Sequence, residues 1–532
     1  MSTPAHAASA SPWHPLTVST FRWLWLASIA SNIGTWMHEV GAGWLMTSLS
    51  ASPLAVALVQ VAGALPVFLL ALPAGALADI VDKRLHLLRV QVWMAAVAAL
   101  LALLTLLGQM SAPLLLALTF AMACGTALMM PAWSALAPEL VGREALPAAV
   151  ALSSLGVNVA RAIGPAIAGV LVSLAGPWLT FALNAVSFLA VIGALWAWQR
   201  TPTSSVLPAE RLWGAIRNGA RYARSARPLQ AVLVRTAVFF LGAAPGMALL
   251  PLLVRRELGG TAADYGVLLG CVGIGAIAGA MLLPRLRARL HPDALMFGAT
   301  LLYAAVLLGL AWVRAFGALA PLMLLSGAAW IAVLSSLQLA AQTAVPAWVR
   351  ARALAVYILV YFGCSALGAA LWGAVASHGS MATAFSGGAL LLVVGLVARW
   401  RYPLPTTAAE DLAPSLHWPA PLLDPALEQE RGPVLVTLEY RIAAADAAPF
   451  QQAMQAVKRM RQRNGAFSWG LVQDAADPSV WQEFFFDESW LEHLRHHGRV
   501  TRAEQRIEAA ARRYQQAGVP VGIRHLLGAP TR

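Results

Sequence analysis

The chain has 532 residues, of which 59% are hydrophobic and only 11% are charged, and its mean hydropathy is +0.67. This composition excludes an ordinary soluble globular protein and indicates a protein of the lipid bilayer. The formal net charge of +13 does not indicate nucleic-acid binding, because the arginines lie in short loops between apolar segments and form no single patch.

Twelve apolar segments are each long enough to cross about 30 Å of hydrocarbon. The first six are residues 21–49, 54–78, 87–108, 114–137, 148–174 and 178–198. The second six are residues 229–254, 264–284, 293–313, 316–341, 353–376 and 381–400. The sequence therefore predicts an all-α polytopic membrane protein with a tail (1–20), two six-helix halves (21–198 and 229–400) and a central loop (199–228).

Positive charge is distributed unequally between the two sides of this arrangement. The loops on one side hold most of the basic residues, among them Lys83, Arg84, Arg89, Arg143, Arg285, Arg287, Arg289, Arg350 and Arg352. The other side holds only Arg255, Arg256 and Arg314. Because cytoplasmic loops retain Lys and Arg, the pattern predicts a bacterial-type inner-membrane protein with both termini and the central loop in the cytoplasm.

Charged residues inside the predicted spans are few, and each indicates a pathway or a buried pair, because charge in hydrocarbon is costly. The deep candidates are His38, Glu39 and Arg161. Two stripes at helical spacing accompany them: Ser28, Asn32, Thr35, Glu39 and Gly43 in the first span, and Ser154, Asn158, Arg161, Pro165 and Gly169 in the fifth. The stripes predict a transport pathway. An ion pair of Glu39 with Arg161 that only holds the helices in register is the alternative.

Glu39 lies about 27 Å along the first span at 1.5 Å per residue, in the outer half of the membrane. A carboxyl group that alternates between an apolar surrounding and the approach of Arg161 loses and gains affinity for a proton. We therefore predict that Glu39 couples transport to protons, with His38 as an auxiliary titrating group. No Gly-x-x-x-x-Gly-Lys-Ser/Thr run is present in the sequence, so the expected energy source is a gradient.

The loop after the second span reads Gly75-Ala-Leu-Ala-Asp79-Ile-Val-Asp82-Lys83-Arg84. It resembles the loop signature of the major facilitator superfamily in Gly75, Asp79, Lys83 and Arg84, and departs from it at Ile80 and Asp82. The resemblance implies the fold of that superfamily and a cytoplasmic gating loop, in which Asp79 pairs with basic groups or a helix N-terminus of the other half. A basic loop that only sets topology is the alternative.

In the fifth span, Gly156, Gly164, Pro165 and Gly169 resemble the glycine-proline signature of drug and proton antiporters in that superfamily. Small residues also favour close helix packing, which is an equally good interpretation. Residues 32–37, 44–48 and 53–60 resemble the exporter branch that includes enterobactin-type siderophore exporters.

A repeat links the two halves. Pro138, Val141, Ala145 and Leu146 recur as Pro346, Val349, Ala353 and Leu354, with a constant offset of 208 residues. Such an offset is typical of a duplicated six-helix unit. In the central loop, Leu212, Ile216, Gly219 and Ala223 have helical spacing, which fits either an interfacial amphipathic helix or a solvated basic linker.

After a predicted linker (401–432), the composition changes to that of a soluble α+β domain (433–532). Strands are expected at 434–442, 466–473, 480–486 and 521–527, with one helix after Asp446 and others within 488–516. This order predicts a ferredoxin-like domain. With Trp469, Glu483 and His493 in their local motifs, it resembles the dimeric α/β barrel of the antibiotic-biosynthesis-monooxygenase type, which implies a homodimer contact or a ligand site.

His493, His496 and His497 share one helix face, at spacings of three and four residues. The sequence argues against a metal there, because Arg495 and Arg499 are close and no acidic ligand is fixed by the pattern. Asn464, Trp469 and His497 are candidate monooxygenase groups, but no family motif covers all three. We therefore predict no metal, no cofactor and no enzymatic activity.

The sequence as a whole predicts a secondary active transporter that exports a small amphipathic or hydrophobic, siderophore- or drug-like molecule by alternating access in exchange for protons. Its expected partners are the cargo, protons, the lipid bilayer and a second copy of the chain. A membrane-anchored enzyme or ligand sensor, with its activity in the C-terminal domain, is the second hypothesis.

Overall fold

The computed structural model describes residues 13–134, 136–141, 145–198, 222, 224, 226–346, 348–404, 411–415, 417–418 and 431–529. The chain divides into two compact units. The first holds most of the long apolar helices. The second holds the C-terminal sheet together with the segments 226–232 and 339–356. The amphipathic helix predicted for the central loop lies almost entirely outside the described residues.

The first half consists of six long helices and one short one. They are α1 (Ser19–Leu49), α2 (Pro53–Ile80), α3 (Lys83–Leu106), α4 (Ala112–Ser134), α5 (Ala137–Leu140), α6 (Leu146–Ala175) and α7 (Trp178–Ala197). The start of α3 is fixed by Asp82, whose Oδ1 accepts a hydrogen bond from the Leu85 N–H at 2.8 Å. Helix α1 packs against both α6 and α7, and α2 packs against α4.

The second half has the same pattern with one interruption. Its helices are α8 (Arg227–Ala243), α9 (Pro245–Ala248), α10 (Leu250–Leu252), α11 (Ala262–Arg289), α12 (Pro292–Trp312), α13 (Phe316–Thr343), α14 (Arg350–His378), α15 (Met381–Gly395) and α16 (Ala398–Arg401). The sequence predicts one continuous span at 229–254. Pro245 and Pro251 break it into α8, α9 and α10, because proline lacks the N–H that the helix needs.

Within the described residues, eleven helical segments are long and apolar enough to cross a membrane. The sequence predicts twelve. The remaining one corresponds to α1, which is 31 residues long but is not among the eleven. Its stripe of Ser, Asn and Thr residues, together with Arg22, His38 and Glu39, keeps its hydropathy below that of the eleven.

The turns of the bundle define two ends. The Ser52 end comprises the turns at 50–52, 176–177, 258–261 and 379–380. The Lys83 end lies at the opposite ends of the same helices and includes the turn at 81–82. At the Lys83 end, buried side chains of α1, α3, α4 and α7 form one apolar cluster. Its members include Leu24, Ala27, Leu87, Ala132, Val191 and Leu195.

The C-terminal unit contains an antiparallel sheet with three helices. The elements are β1 (Val434–Arg441), α17 (Ala447–Asn464), β2 (Ser468–Gln473), β3 (Val480–Asp487), α18 (Trp490–Arg499), α19 (Arg502–Arg512) and β4 (Gly522–Leu527). The strand order is β2-β3-β1-β4. Phe450, Met454, Val457 and Met460 place one face of α17 in the core. The small sheet expected from the sequence is therefore present.

Part of the predicted linker belongs to this unit. The Ser415 N–H donates to the Val500 carbonyl at 2.9 Å, and the Arg502 N–H donates to the Ala413 carbonyl at 2.9 Å. Pro414 forms a bridge with Thr501. Residues 411–415 thus pack on the domain, through backbone pairing between segments far apart in the sequence, which leaves no mark in local composition.

Candidate functional site

Glu39 is the carboxylate around which the helices of both halves converge. Its side chain is exposed although it lies in the 21st position of the 31-residue helix α1. Its electrostatic neighbours are Arg161 on α6, Tyr265 on α11 and Tyr361 on α14. Because these groups belong to three other helices from both halves, the exposed face of Glu39 opens into the space between the halves.

Arg161 is the cation of this site, which we call the Glu39–Arg161 site. Its guanidinium carbon lies 5.5 Å from the centre of the Trp36 ring. Its Nε is buried and has no hydrogen-bond partner among the described residues. An unsatisfied buried donor is costly, so the site favours a ligand or water that accepts a hydrogen bond from Arg161.

Two tyrosines complete the site from the second half. Tyr265 stacks on Trp44 with ring centres 6.2 Å apart, and Tyr361 packs edge-on against Phe240 at 4.3 Å. The sequence analysis did not find them, because it weighed only charged residues within the spans. Tyrosines on the interior faces of the eighth and eleventh predicted spans are the signal that would have identified them.

His38 does not share this space. It is 4% exposed, its ring meets Phe181 of α7 at 4.9 Å, and both ring nitrogens are buried without a hydrogen-bond partner. It precedes Glu39 by one position and therefore occupies another face of the helix. The structure places this predicted pathway residue against α7, away from the Glu39–Arg161 site.

The two asparagines of the predicted pathway are bonded within their own helices. Asn32 Nδ2 donates to the Ser28 carbonyl at 2.8 Å, and Asn158 Nδ2 donates to the Ser154 carbonyl at 2.9 Å. Each keeps its amide oxygen for other partners, so both remain available to line a polar path next to Glu39 or Arg161.

The glycines of the fifth predicted span lie at close helix contacts. A Cβ on Gly156 would meet Ile29, and one on Gly164 would lie 2.8 Å from Trp36 Cβ, both on α1. Gly169 faces α11, where a Cβ would lie 2.7 Å from the Ala262 carbonyl oxygen. Beside Pro165, these positions let α6 approach one helix of each half. Larger side chains at Gly156 or Gly164 would push α6 away from α1, and one at Gly169 would push the two halves apart.

The loop between α2 and α3 ties helices of the first half together. Lys83 Nζ lies 2.8 Å from Glu139 Oε1, and Arg84 donates to the carbonyls of Leu195 and Trp196 at 2.9 and 2.6 Å. A Cβ on Gly75 would meet nothing within 4 Å. The side chain of Asp79 lies outside the described part of the chain, so its gating role stays a prediction.

Among the described residues, three hydrogen bonds that join the two halves lie at the Ser52 end. Arg255 donates to Thr47 Oγ1 at 3.0 Å, the Ala263 N–H donates to Ser173 Oγ at 3.0 Å, and the Leu54 N–H donates to Ser377 Oγ at 3.0 Å. The side-chain bonds described at the Lys83 end join helices of the same half. These bonds hold the two halves together at the Ser52 end of the bundle.

The second half has a buried ion pair that the sequence analysis missed. Arg235 on α8 is 3% exposed and lies 3.2 Å from Asp293 at the start of α12. In the sequence, Arg235 lies only six residues after the start of the predicted span at 229, close to the basic central loop. Only the path of α8 past α12 shows that it is paired in the bundle.

A buried charge network occupies the core of the C-terminal unit. The Arg461 guanidinium donates to Glu483 Oε1 at 3.0 Å and to Glu508 Oε1 at 2.6 Å, and lies between the rings of Trp418 and Phe485. Burial alone lowers the pKa of Arg461, but the two carboxylates raise it above its usual range. Burial raises the pKa of Glu508, whereas Arg461 and further donors lower it to about 2.

The three monooxygenase-like residues have separate partners in this unit. Asn464 donates to Glu504 at 3.1 Å, Trp469 donates to Glu483 at 3.0 Å, and His497 lies 3.1 Å from His493. Asp487 contacts both His493 and His496, and although burial raises its pKa, these histidines hold it well below the usual range. His493 thus has an acidic partner that the helix pattern alone did not contain.

The apolar helices in two halves, with a charged site between them, define a polytopic membrane transporter of the major facilitator type. The chain belongs to the transmembrane secretion effector family, whose model matches residues 10–532. This match includes the C-terminal domain as well as the bundle. The expected superfamily is therefore confirmed.

Two relatives agree with this assignment. The chain is 23% identical to the staphyloferrin A transporter of Staphylococcus aureus over 291 residues, which cover 54% of this chain and 72% of that protein. It is 29% identical to the uncharacterized MFS-type transporter YfiS of Bacillus subtilis over 159 residues, which cover 30% of this chain and 37% of YfiS.

Solved structures share the fold of the bundle. The nucleoside transporter NupG superposes with a TM-score of 0.59 at 12% identity, covering 72% of this chain and all of NupG. A bacterial homologue of the iron transporter ferroportin, in its inward-facing state, gives 0.52 at 18% identity and covers 71% of this chain and 98% of its own. At these identities the likeness extends to the fold alone.

Proposed function

We propose that this protein exports a small amphipathic, siderophore-like molecule in exchange for protons. The Glu39–Arg161 site carries the proposal, since an exposed carboxylate between the halves of a transporter is able to take up a proton from one side and release it to the other. The Staphylococcus aureus relative, a siderophore transporter by its name, supports the cargo class. The exporter-like motifs at 32–37 and 44–48 support the direction.

The contacts at the Ser52 end support an alternating-access cycle. With the Lys83 end in the cytoplasm, the hydrogen bonds of Thr47, Ser173 and Ser377 close the outer end, and cargo enters the space beside Glu39 from inside. Proton binding to Glu39 weakens its attraction to Arg161 and so favours the change between the two states. In this scheme helix α1 also crosses the membrane and brings the number of spans from eleven to twelve.

The direct test is accumulation in everted vesicles. The full chain is supplied with hydroxamate, catecholate and carboxylate siderophores and with lipophilic cationic dyes, with and without an imposed proton gradient. Gradient-dependent accumulation of at least one compound supports proton-coupled export. Accumulation that is the same with and without the proton gradient contradicts the coupling. Failure to transport any compound favours the enzyme or sensor hypothesis for the C-terminal domain.

We expect both chain termini on the cytoplasmic side, because the basic residues concentrate at the Lys83 end. Reporter fusions after Arg401 and after Ser377 are expected to report opposite sides of the membrane, since α15 and α16 separate them. A fusion within the turn after Leu49 serves as a second outer marker. The same side for Arg401 and Ser377 would rule out the twelve-span arrangement.

Asp79→Asn is expected to slow transport about tenfold without reducing the amount of protein in the membrane, because a charge-assisted hydrogen bond of the cytoplasmic latch is lost. Asp82→Asn is the matched control, since asparagine preserves the cap that Asp82 provides to Leu85. The measurement is the initial transport rate of each variant at equal abundance in the membrane. Equal rates in both variants would assign this loop to topology alone.

We also propose that the C-terminal domain is a ferredoxin-like unit that pairs with a second copy through its sheet. The strand order β2-β3-β1-β4 supports the first part, and the exposed Val472 on β2 and Ile523 on β4, with Phe467 just before β2, support the second. Cross-linking of the full chain through single cysteines introduced at Val472 or Ile523 tests the pairing, and chains that all remain monomeric contradict it.

A further inference from the structure

Three histidines converge in the C-terminal unit from two separate elements. His493 and His497 lie one turn apart on α18, and His525 lies on the edge strand β4. One ring nitrogen from each lies within 4.8 Å of the other two. The Nε2 atoms of His493 and His497 are 3.1 Å apart, and the ring centres of His493 and His525 are 4.8 Å apart.

We propose that His493, His497 and His525 bind one divalent transition-metal ion, with Zn²⁺ the best match, and leave its fourth position open. Imidazole nitrogens bind zinc at about 2.0–2.1 Å in tetrahedral geometry, which places neighbouring nitrogens about 3.3 Å apart. The His493–His497 distance is already close to this value. His497 and His525 are half-buried, so rotation of their rings closes the remaining gap.

Asp487 prepares one of these ligands. Its Oδ2 lies 2.9 Å from Nδ1 of His493, so that ring donates Nδ1–H to the carboxylate and turns Nε2 toward the other histidines. A carboxylate behind a ligating histidine fixes its tautomer and raises its basicity. Asp487 is held at the end of β3, in register with Val434 of β1, and is 1% exposed.

His496 is not a ligand, although the helix spacing groups it with its neighbours. Its Nδ1 lies 3.2 Å from Asp487 Oδ1, and its ring packs against Phe485 and Trp418. It thus holds the second oxygen of the carboxylate. The third ligand of the proposed site is His525 and not His496, and His525 lies 28 positions further along the chain than His497.

The nearby arginines do not oppose a cation. Arg495 NH1 lies 2.6 Å from Glu492 Oε1, and Arg499 NH2 lies 3.0 Å from Glu492 Oε2. One carboxylate therefore holds both guanidinium groups. Asp487 adds a second carboxylate, which is in direct contact with the His493 ring.

The surroundings also fit an exchangeable ion better than a closed structural one. Trp418 lies 4.8 Å from His497 and Trp490 lies 5.9 Å from His525, ring centre to ring centre, so aromatic walls flank the cluster. Sites with three protein ligands and one open position bind water or a further ligand. Imidazole donors suit Zn²⁺, Cu²⁺, Ni²⁺ and Fe²⁺ more than Mg²⁺ or Ca²⁺.

The test uses the full chain in detergent, stripped with a chelator and titrated with Zn²⁺ against a chromophoric competitor. We expect one tightly bound Zn²⁺ per chain. His525→Gln and His497→Gln are expected to weaken binding at least about 100-fold because each removes a ligand. Asp487→Asn is expected to weaken it about 10- to 100-fold through the loss of the hydrogen bond to His493.

His378→Gln is the control, because this exposed histidine at the end of α14 bonds only to the Ala374 carbonyl among the described residues. It is expected to bind as wild type does. If the His525 variant does not fold, the absorption spectrum of wild-type protein loaded with Co²⁺ decides instead: intense tetrahedral bands support the site. Wild-type protein that takes up neither ion, or a folded His525→Gln that binds equally well, overturns the proposal.

Discussion

Glu39→Gln is expected to abolish proton-driven accumulation of cargo in everted vesicles while leaving downhill exchange measurable. Glutamine keeps the size of the side chain and its hydrogen bonding, but it cannot bind and release a proton. Without a titrating group beside Arg161, the change between the two states no longer depends on the gradient. We expect uphill accumulation to fall to the level without a gradient, and exchange to stay within about threefold of wild type.

Glu257→Gln is the matched control for this experiment. Glu257 forms an ion pair with Arg314 at the Ser52 end and is not among the electrostatic neighbours of Arg161. Glu257→Gln removes the same charge from the bundle but away from the Glu39–Arg161 site, so transport is expected to stay coupled. Full gradient-driven accumulation in Glu39→Gln would show that the proton site lies elsewhere and that Glu39 only pairs with Arg161.

Arg461→Gln is expected to destabilise the C-terminal domain by about 3–5 kcal/mol, because it leaves Glu483 and Glu508 buried without their cation. For a domain of about 100 residues, this lowers the midpoint of thermal unfolding by at least about 12 °C. Calorimetry of the full chain in detergent measures the shift. A second full chain with Arg441→Gln is the control.

Arg441 pairs with Asp477 at 3.3 Å, but both side chains are more than 40% exposed, so its loss is expected to cost less than about 1 kcal/mol. The buried network of Arg461, Glu483 and Glu508 also makes the stability of the domain depend on pH. Because the pKa of Glu508 is lowered to about 2, its contribution is fully present above the usual glutamate pKa of about 4.3 and disappears as the pH falls toward 2. Equal shifts in the midpoint of thermal unfolding for Arg461→Gln and Arg441→Gln would contradict a buried network.

The positions of most elements were predictable because they depend on local composition. The sixth span was expected at 178–198 and the helix covers Trp178–Ala197, and the strand expected at 480–486 covers Val480–Asp487. Hydrophobic length and strand alternation are properties of short segments. The break at Pro245 and Pro251 was missed, although proline in a helix interior is a local signal.

The Glu39–Arg161 site was partly predictable for a different reason. Charge is so unfavourable within apolar helices that Glu39 and Arg161 were conspicuous in the sequence. Their tyrosine neighbours were not, since Tyr265 and Tyr361 are ordinary residues in apolar spans until four helices bring them together. His38 was assigned to the pathway because it is charged when protonated, whereas its direction on α1 was fixed by the packing of α7.

The sequence by itself determined that this protein lies in a membrane, is built from two halves and ends in a small α+β domain, because solvation and local periodicity act on each segment separately. Only the tertiary structure decided that His525 joins His493 and His497 and that Asp487 stands behind them. Contacts between an edge strand and a helix depend on the order of strands in the sheet. That order is set by the packing of the whole domain, and no single segment contains it.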